Sequence, residues 1–169
     1  MSVRPGIVRH LPRAIARAPA RVRDLSPMEL ILLIATPAAL PLIAAGLQRY
    51  GLARVQSALG RDRRHAAAAD VARQCAEAGR LAWIVKVGAM YGLWPANCLQ
   101  RSVLLWWYLR QRGIDGQVCI GVRRDRATNE LDFHAWVEHG GMVLNDRSDV
   151  RDQYATFDRA VAPRTASFR

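Results

Sequence analysis

Apolar positions along this chain follow two regimes: helical spacing or apolar runs up to residue 112, then alternation from Gln117 onward. The first regime opens at Ser26-Pro27-Met28-Glu29. This reads as a helix start, with Ser26 as N-cap, Pro27 at the first position and Glu29 at the third. The apolar run Leu30 to Leu47 follows. It approaches membrane-spanning length but contains Pro37 and Pro41, so it reads as core-packing or membrane-surface helix rather than a spanning one. Residues 49–60 continue it, with Leu52, Val55 and Leu59 on one face. Residues 61–80 are polar and Ala-rich, and Ala66 to Ala69 predict a helix there. Leu81 to Tyr91 reads as buried, and Gly92-Leu93-Trp94-Pro95 breaks the pattern. Leu99 to Arg112 predicts a further helix, with Leu99, Val103, Trp106 and Trp107 toward the core. Arg112-Gly113 is its C-terminal signal.

In the second regime Val118, Ile120 and Val122 alternate, which predicts a strand over 117–124. Arg124 to Leu131 is a charged loop. Phe133 to Glu138 is a second strand, His139-Gly140-Gly141 a turn and Met142 to Asn145 a third strand. The remainder is irregular and polar, with Tyr154 and Phe157 packing it back onto the domain. The expected organisation is a basic, Pro-interrupted tail over 1–27, a helical N-terminal region over 28–80 and a core over 81–169.

A chain of 169 residues that is 51% hydrophobic and 23% charged can bury a core without staples, and wholesale disorder is excluded. The net charge of +11 points to an acidic partner. Lys86 is the sole lysine, however, and the Arg- and Ala-rich bias is what a GC-rich genome writes by default. No aromatic-basic recognition motif accompanies the charge, so no nucleic-acid partner is expected. Arg9, Arg13, Arg17 and Arg21 recur every four residues near the N-terminus. They are candidates for contact with anionic lipid, although Pro5, Pro12 and Pro19 break a continuous helix. Cys75, Cys98 and Cys119 are odd in number and lack a Cys-x-x-Cys element. That disfavours a disulfide framework and a zinc site, and with no clear secretory signal it suggests a reducing, cytoplasmic setting, peripheral to the membrane if residues 1–47 touch lipid.

In such a setting a lone cysteine with a distant histidine is a candidate nucleophile. Cys98 follows Asn97, a good N-cap, with Gln100 where a capping-box partner belongs. In the first turn of a helix, free N–H groups and the macrodipole stabilise a thiolate and can hold an oxyanion. Asn97 and Gln100 are themselves weak candidates for oxyanion or positioning roles. A thiol needs a base, and the base an orienting group. His134 is in the second strand; Asp146 directly follows the third. A three-residue loop over 139–141 would pair 138 with 142 and 134 with 146, setting Asp146 across from His134 at about 5 Å between Cβ atoms. A two-residue Gly140-Gly141 loop would instead put Asp146 on the other face. Asp149 and Asn145 are local competitors for the orienting role. Taken singly, Cys98 would be a small buried residue, His134 a structural histidine and Asp146 a turn residue; their conjunction points to a Cys–His–Asp thiol hydrolase. Cys75, His10, His65 and His139 read as packing, surface or turn residues, and Cys119 as near the site or merely exposed.

These segments resemble a known family. Cys98-Leu99-Gln100-Arg101-Ser102, Arg112-Gly113-Ile114-Asp115, His134-Ala135-Trp136-Val137-Glu138 and Asn145-Asp146 are similar to the lasso peptide biosynthesis B protein, a group of transglutaminase-like, papain-related cysteine peptidases. The resemblance covers roughly residues 80–150. It implies an α+β fold: N-terminal helices, then a transglutaminase/papain-like core whose nucleophile helix packs on a small antiparallel sheet. It also implies removal of the leader from a ribosomally made lasso precursor peptide, with Cys98 as nucleophile, His134 as general base and acid, and Asp146 as orienting carboxylate. Residues 1–80 lack the strand pattern of a winged-helix leader-binding domain. The chain therefore resembles a stand-alone peptidase half that works with a separate leader-recognition protein and a macrolactam synthetase. No phosphate-binding Gly-Lys loop is present, and no cofactor or metal is expected. The alternatives are a transglutaminase-like acyltransferase with the same triad, or a non-catalytic membrane-associated scaffold.

Overall fold

The computed structural model describes residues 22–60, 71–125 and 128–157. Helix α1 (Pro27–Leu59) is followed by α2 (Val71–Tyr91) and α3 (Cys98–Gln111). Then come strands β1 (Gln117–Arg124), β2 (Leu131–His139) and β3 (Met142–Val143), a short helix α4 (Val150–Gln153) and strand β4 (Ala155–Thr156). The strands form one sheet in the order β3-β2-β1-β4, antiparallel at every pairing, so the architecture is the α+β one expected. The expected helix around Ala66–Ala69, the periodic arginines before Val22, His10 and His65 lie outside the described residues.

Helix α1 starts as its sequence dictates. The Ser26 side chain accepts from the Glu29 backbone N–H, the Glu29 carboxylate accepts from the Ser26 N–H at 2.9 Å, and Pro27 fills the first turn. The helix is broken at Gly51, whose φ of 76° and ψ of 167° no helix contains. Residues 52–59 thus form a separate arm, with Val55 buried and Leu52 and Leu59 packed on the core. Leu40, Ile43 and Ala44 of α1 meet Leu81, Ile84 and Val85 of α2 and Leu104, Leu105 and Leu109 of α3 in one core. The two long helices meet closely where Gly88 faces Thr36; a Cβ on Gly88 would lie 2.5 Å from the Thr36 Cβ. Trp106 is buried in this core and Trp107 packs at its edge.

Helix α3 lies across the sheet with Val137 and Val118 beneath it, which fixes where its N-terminus falls relative to β2. The other sheet face holds a smaller cluster of Trp136, Val150 and Tyr154, with Cys119 against it.

Four expectations are corrected. The β2–β3 pairing is Glu138 with Val143 and His139 with Met142, so the loop is the two-residue Gly140-Gly141 turn and not the three-residue one. Both glycines have positive φ (54° and 79°), which suits a type I′ hairpin turn that glycine adopts without strain. The third strand stops at Val143 rather than Asn145. His139 is not an exposed turn residue: it ends β2, is buried, and its Nδ1 faces the Asp115 carbonyl. Of the two tail aromatics only Tyr154 packs inward; Phe157 is exposed, and the tail instead adds strand β4 to β1.

Candidate active site

Asn97 caps α3 as expected. Its side chain accepts from the Gln100 N–H at 2.9 Å, while the Gln100 side-chain oxygen Oε1 accepts from the Asn97 N–H at 3.1 Å and faces the Trp94 indole N–H at 3.4 Å. Both side chains that were candidates for oxyanion contact are engaged in this capping box. The box sets Cys98 as the first residue of the helix.

The structure brings Cys98, His134 and Asp146 together. His134 Nε2 hydrogen-bonds with Asp146 Oδ2, which leaves Nδ1 for the Cys98 thiol, its other side-chain partner. Burial pushes the Cys98 thiol up. Hydrogen bonding and charge from His134, with the backbone N–H groups of Ala135 and Leu99, outweigh that and hold it below the ordinary thiol value. His134 is raised to about 9, first by its hydrogen bond with Asp146 and then by Cys98, against the opposing effect of burial. Asp146 is raised by burial but lowered further by His134, by the Arg147 backbone N–H at 2.7 Å and by the charge of Arg101, and ends below its ordinary value. All three shifts run toward one state, a thiolate beside an imidazolium beside a carboxylate.

The hairpin register alone would not produce this. With Leu144 N–H bonded to the Val137 carbonyl at 2.9 Å, a continued strand would set Asp146 against Ala135, on the face opposite His134. The backbone leaves the ladder at Asn145 instead, and the Asn145 side-chain oxygen accepts the Val137 N–H at 2.7 Å in place of a strand carbonyl. Freed from the pleat, Asp146 turns its carboxylate to His134. Asp149 is held away by Arg147, at 3.0 and 3.1 Å.

Two more side chains complete the frame. Asn145 Nδ2 donates to Ser102 Oγ at 2.9 Å, and Ser102 Oγ donates to the Ala135 carbonyl at 3.1 Å. Ser102 is fully buried. It lies one helical turn after Cys98 on the same side of α3, so this chain of bonds joins the Cys98 helix, the His134 strand and the Asp146 bend. Ser102 was not singled out from the sequence, although its spacing of four from Cys98 carries the signal. On the other side of His134, the Tyr154 ring lies 5.1 Å from the imidazole, its hydroxyl donating to Asp132 at 2.8 Å. Gly121 pairs with His134 and makes room for this stack: a Cβ there would sit 2.7 Å from Tyr154 Cβ and 2.9 Å from the Trp136 ring.

Cys119 differs from Cys98. Burial and the neighbouring Glu138 carboxylate push its thiol up to about 11, so it stays protonated. Glu138 itself is held by Arg151 at 2.7 Å and the Trp136 indole at 2.7 Å. Cys75 is partly buried on α2. Among the described residues no group of three or more His, Cys, Asp or Glu side chains is placed to share a metal ion.

The family model of the Transglutaminase-like superfamily matches residues 38–158. A curated relative, the Microcin J25-processing protein McjB of Escherichia coli, is 39% identical over 61 residues, 36% of this chain. The match spans 27% of that protein's length. No solved structure matches the chain.

Proposed function

Because this chain belongs to the transglutaminase-like superfamily, we propose that it is a cysteine peptidase that removes the leader from a ribosomally made lasso precursor peptide. The observation that carries this reading is the hydrogen-bonded line of Asp146, His134 and Cys98, with the cysteine at a helix start and its thiol held low. The likeness to a microcin-processing protein supports the choice of a peptide substrate.

The Cys98 thiolate attacks the scissile carbonyl. The free N–H groups at the start of α3, that of Cys98 first among them, stabilise the oxyanion. The His134 imidazolium then gives its proton to the departing amine, which is the new N-terminus of the core peptide, and the leader stays on sulfur as a thioester. Water enters, His134 takes its proton, and the thioester breaks to release the leader carboxylate and restore the thiolate. Asp146 keeps the imidazole oriented and stabilises its charge through both steps. Asn97 and Gln100 act by holding the helix start. A separate leader-recognition protein presents the precursor, and a macrolactam synthetase uses the freed amine.

Mass spectrometry of a precursor incubated with this protein and its leader-binding partner tests the reading. A leader fragment ending in a free carboxylate, with the intact core, is the expected pair of products. A leader joined to an added amine would reassign the protein as an acyltransferase. An uncut precursor, with leader binding by the partner verified, would leave a non-catalytic scaffold.

A further inference from the structure

Residues 27–50 of α1 carry two unlike faces. The face of Thr36, Leu40, Ile43 and Ala44 is buried against α2 and α3. The opposite face is a stripe of Ile31, Ile34, Ala35, Ala38, Leu42 and Ala45, every one exposed. Ile34 is 70% and Leu42 73% exposed. A helix between core and water carries polar residues on its outer face. This one carries none in the stripe, and Glu29 is the sole charged residue between Pro27 and Gln48. Glu29 is itself buried and bonded to Arg80 Nε at 2.8 Å.

The ends of the stripe are basic. Arg49 and the exposed Tyr50 close one end, with the guanidinium 5.7 Å from the ring centroid. At the other stands Arg23, preceded in sequence by Arg4, Arg9, Arg13, Arg17 and Arg21; Asp24 is the lone acidic residue before Ser26. An apolar stripe bracketed by arginine and an interfacial tyrosine matches the surface of an anionic bilayer, with apolar side chains among the acyl chains and cations at the phosphates. The helix is apolar enough to span, at a mean hydropathy of 2.3 over an 18-residue window. Spanning would strip the buried face from α2 and α3 and expose the Glu29–Arg80 pair to lipid, whereas lying flat uses only the surface left free.

We propose that the Ile31–Ala45 stripe docks this protein flat on an anionic membrane surface, its core remaining in water. The inference does not depend on the cleavage reading. The test is sedimentation of the full-length protein with vesicles of phosphatidylcholine alone and of phosphatidylcholine with one quarter phosphatidylglycerol. The wild type is expected to pellet with the anionic vesicles, far less with the neutral ones, and to be released by 0.5 M salt. The double variant Ile34→Gln/Leu42→Gln is expected to lose at least tenfold in vesicle affinity. Both side chains project into solvent, so its circular dichroism and melting temperature should match wild type. Wild type staying in the supernatant, or the double variant binding equally, would overturn the proposal. So would a wild-type dimer that the same two substitutions dissociate, since a second copy would then cover the stripe.

Discussion

The Asn145 side-chain amide reaches across from the end of the hairpin to donate to Ser102 Oγ at 2.9 Å, while its oxygen accepts the Val137 N–H at 2.7 Å. One side chain thus ends the strand ladder and ties the resulting bend to the helix that begins with Cys98. Replacing Asn145 with Ala leaves both partners short of a bond in a partly buried setting, which costs about 1–3 kcal/mol. We expect a melting temperature lowered by several degrees and kcat lowered on the order of 10–100-fold, with KM nearly unchanged because only the aim of Asp146 is loosened. Thermal melts and steady-state kinetics of Asn145→Ala check this.

The Asp146 hydrogen bond is the largest influence holding His134 near 9. A raised histidine contributes stability fully below its ordinary 6.5 and loses it as pH climbs through about 9. Activity should follow the same limb, falling as pH rises through about 9, because the proposed mechanism needs the imidazolium to protonate the leaving amine. Asp146→Asn should lower kcat on the order of 10⁴-fold and move the alkaline limb of the kcat/KM profile to lower pH. An unmoved limb would detach it from His134.

The thiols should react in a set order. Cys98 is held below its ordinary value and Cys119 is raised to about 11. The thiolate is the reactive form. Limiting iodoacetamide at neutral pH should therefore label Cys98 well before Cys119, as peptide mapping would report, and the His134→Ala variant should slow labelling of Cys98 alone.

Gly121 has no room for a side chain beneath Tyr154 and Trp136. Valine there should destabilise the fold by about 1–3 kcal/mol through overpacking. It should also push Tyr154 off the His134 ring and reduce activity beyond what the stability loss explains. Denaturant titration beside kinetics at a temperature where the variant stays folded separates the two effects.

Much of this was legible in the residues because local chemistry decided it. The Ser26–Glu29 and Asn97–Gln100 capping boxes both form from the spacing that announced them, and alternation from Val118 to Val122 marked β1. What the residues did not disclose was decided by side chains acting out of pattern. Three-residue and two-residue hairpin loops are both compatible with His139-Gly140-Gly141, and the first sets Asp146 opposite His134 only if the strand continues to Asp146. Asn145 ends that strand by substituting its own oxygen for a backbone carbonyl, which period-two reasoning cannot represent. Ser102 sits between Arg101 and the apolar run that starts at Val103, where a small hydroxyl reads as neutral. The long helix broke at Gly51, a residue that amphipathic spacing on either side had bridged over.

The proposed mechanism stands on Cys98 as nucleophile. The most direct test is precursor cleavage by wild type and Cys98→Ala under identical conditions, with the leader-binding partner present and the variant verified as folded by circular dichroism. Leader release by wild type and none above background for Cys98→Ala is the expected result. Cleavage at a comparable rate by Cys98→Ala would contradict it and remove the thiol from the mechanism.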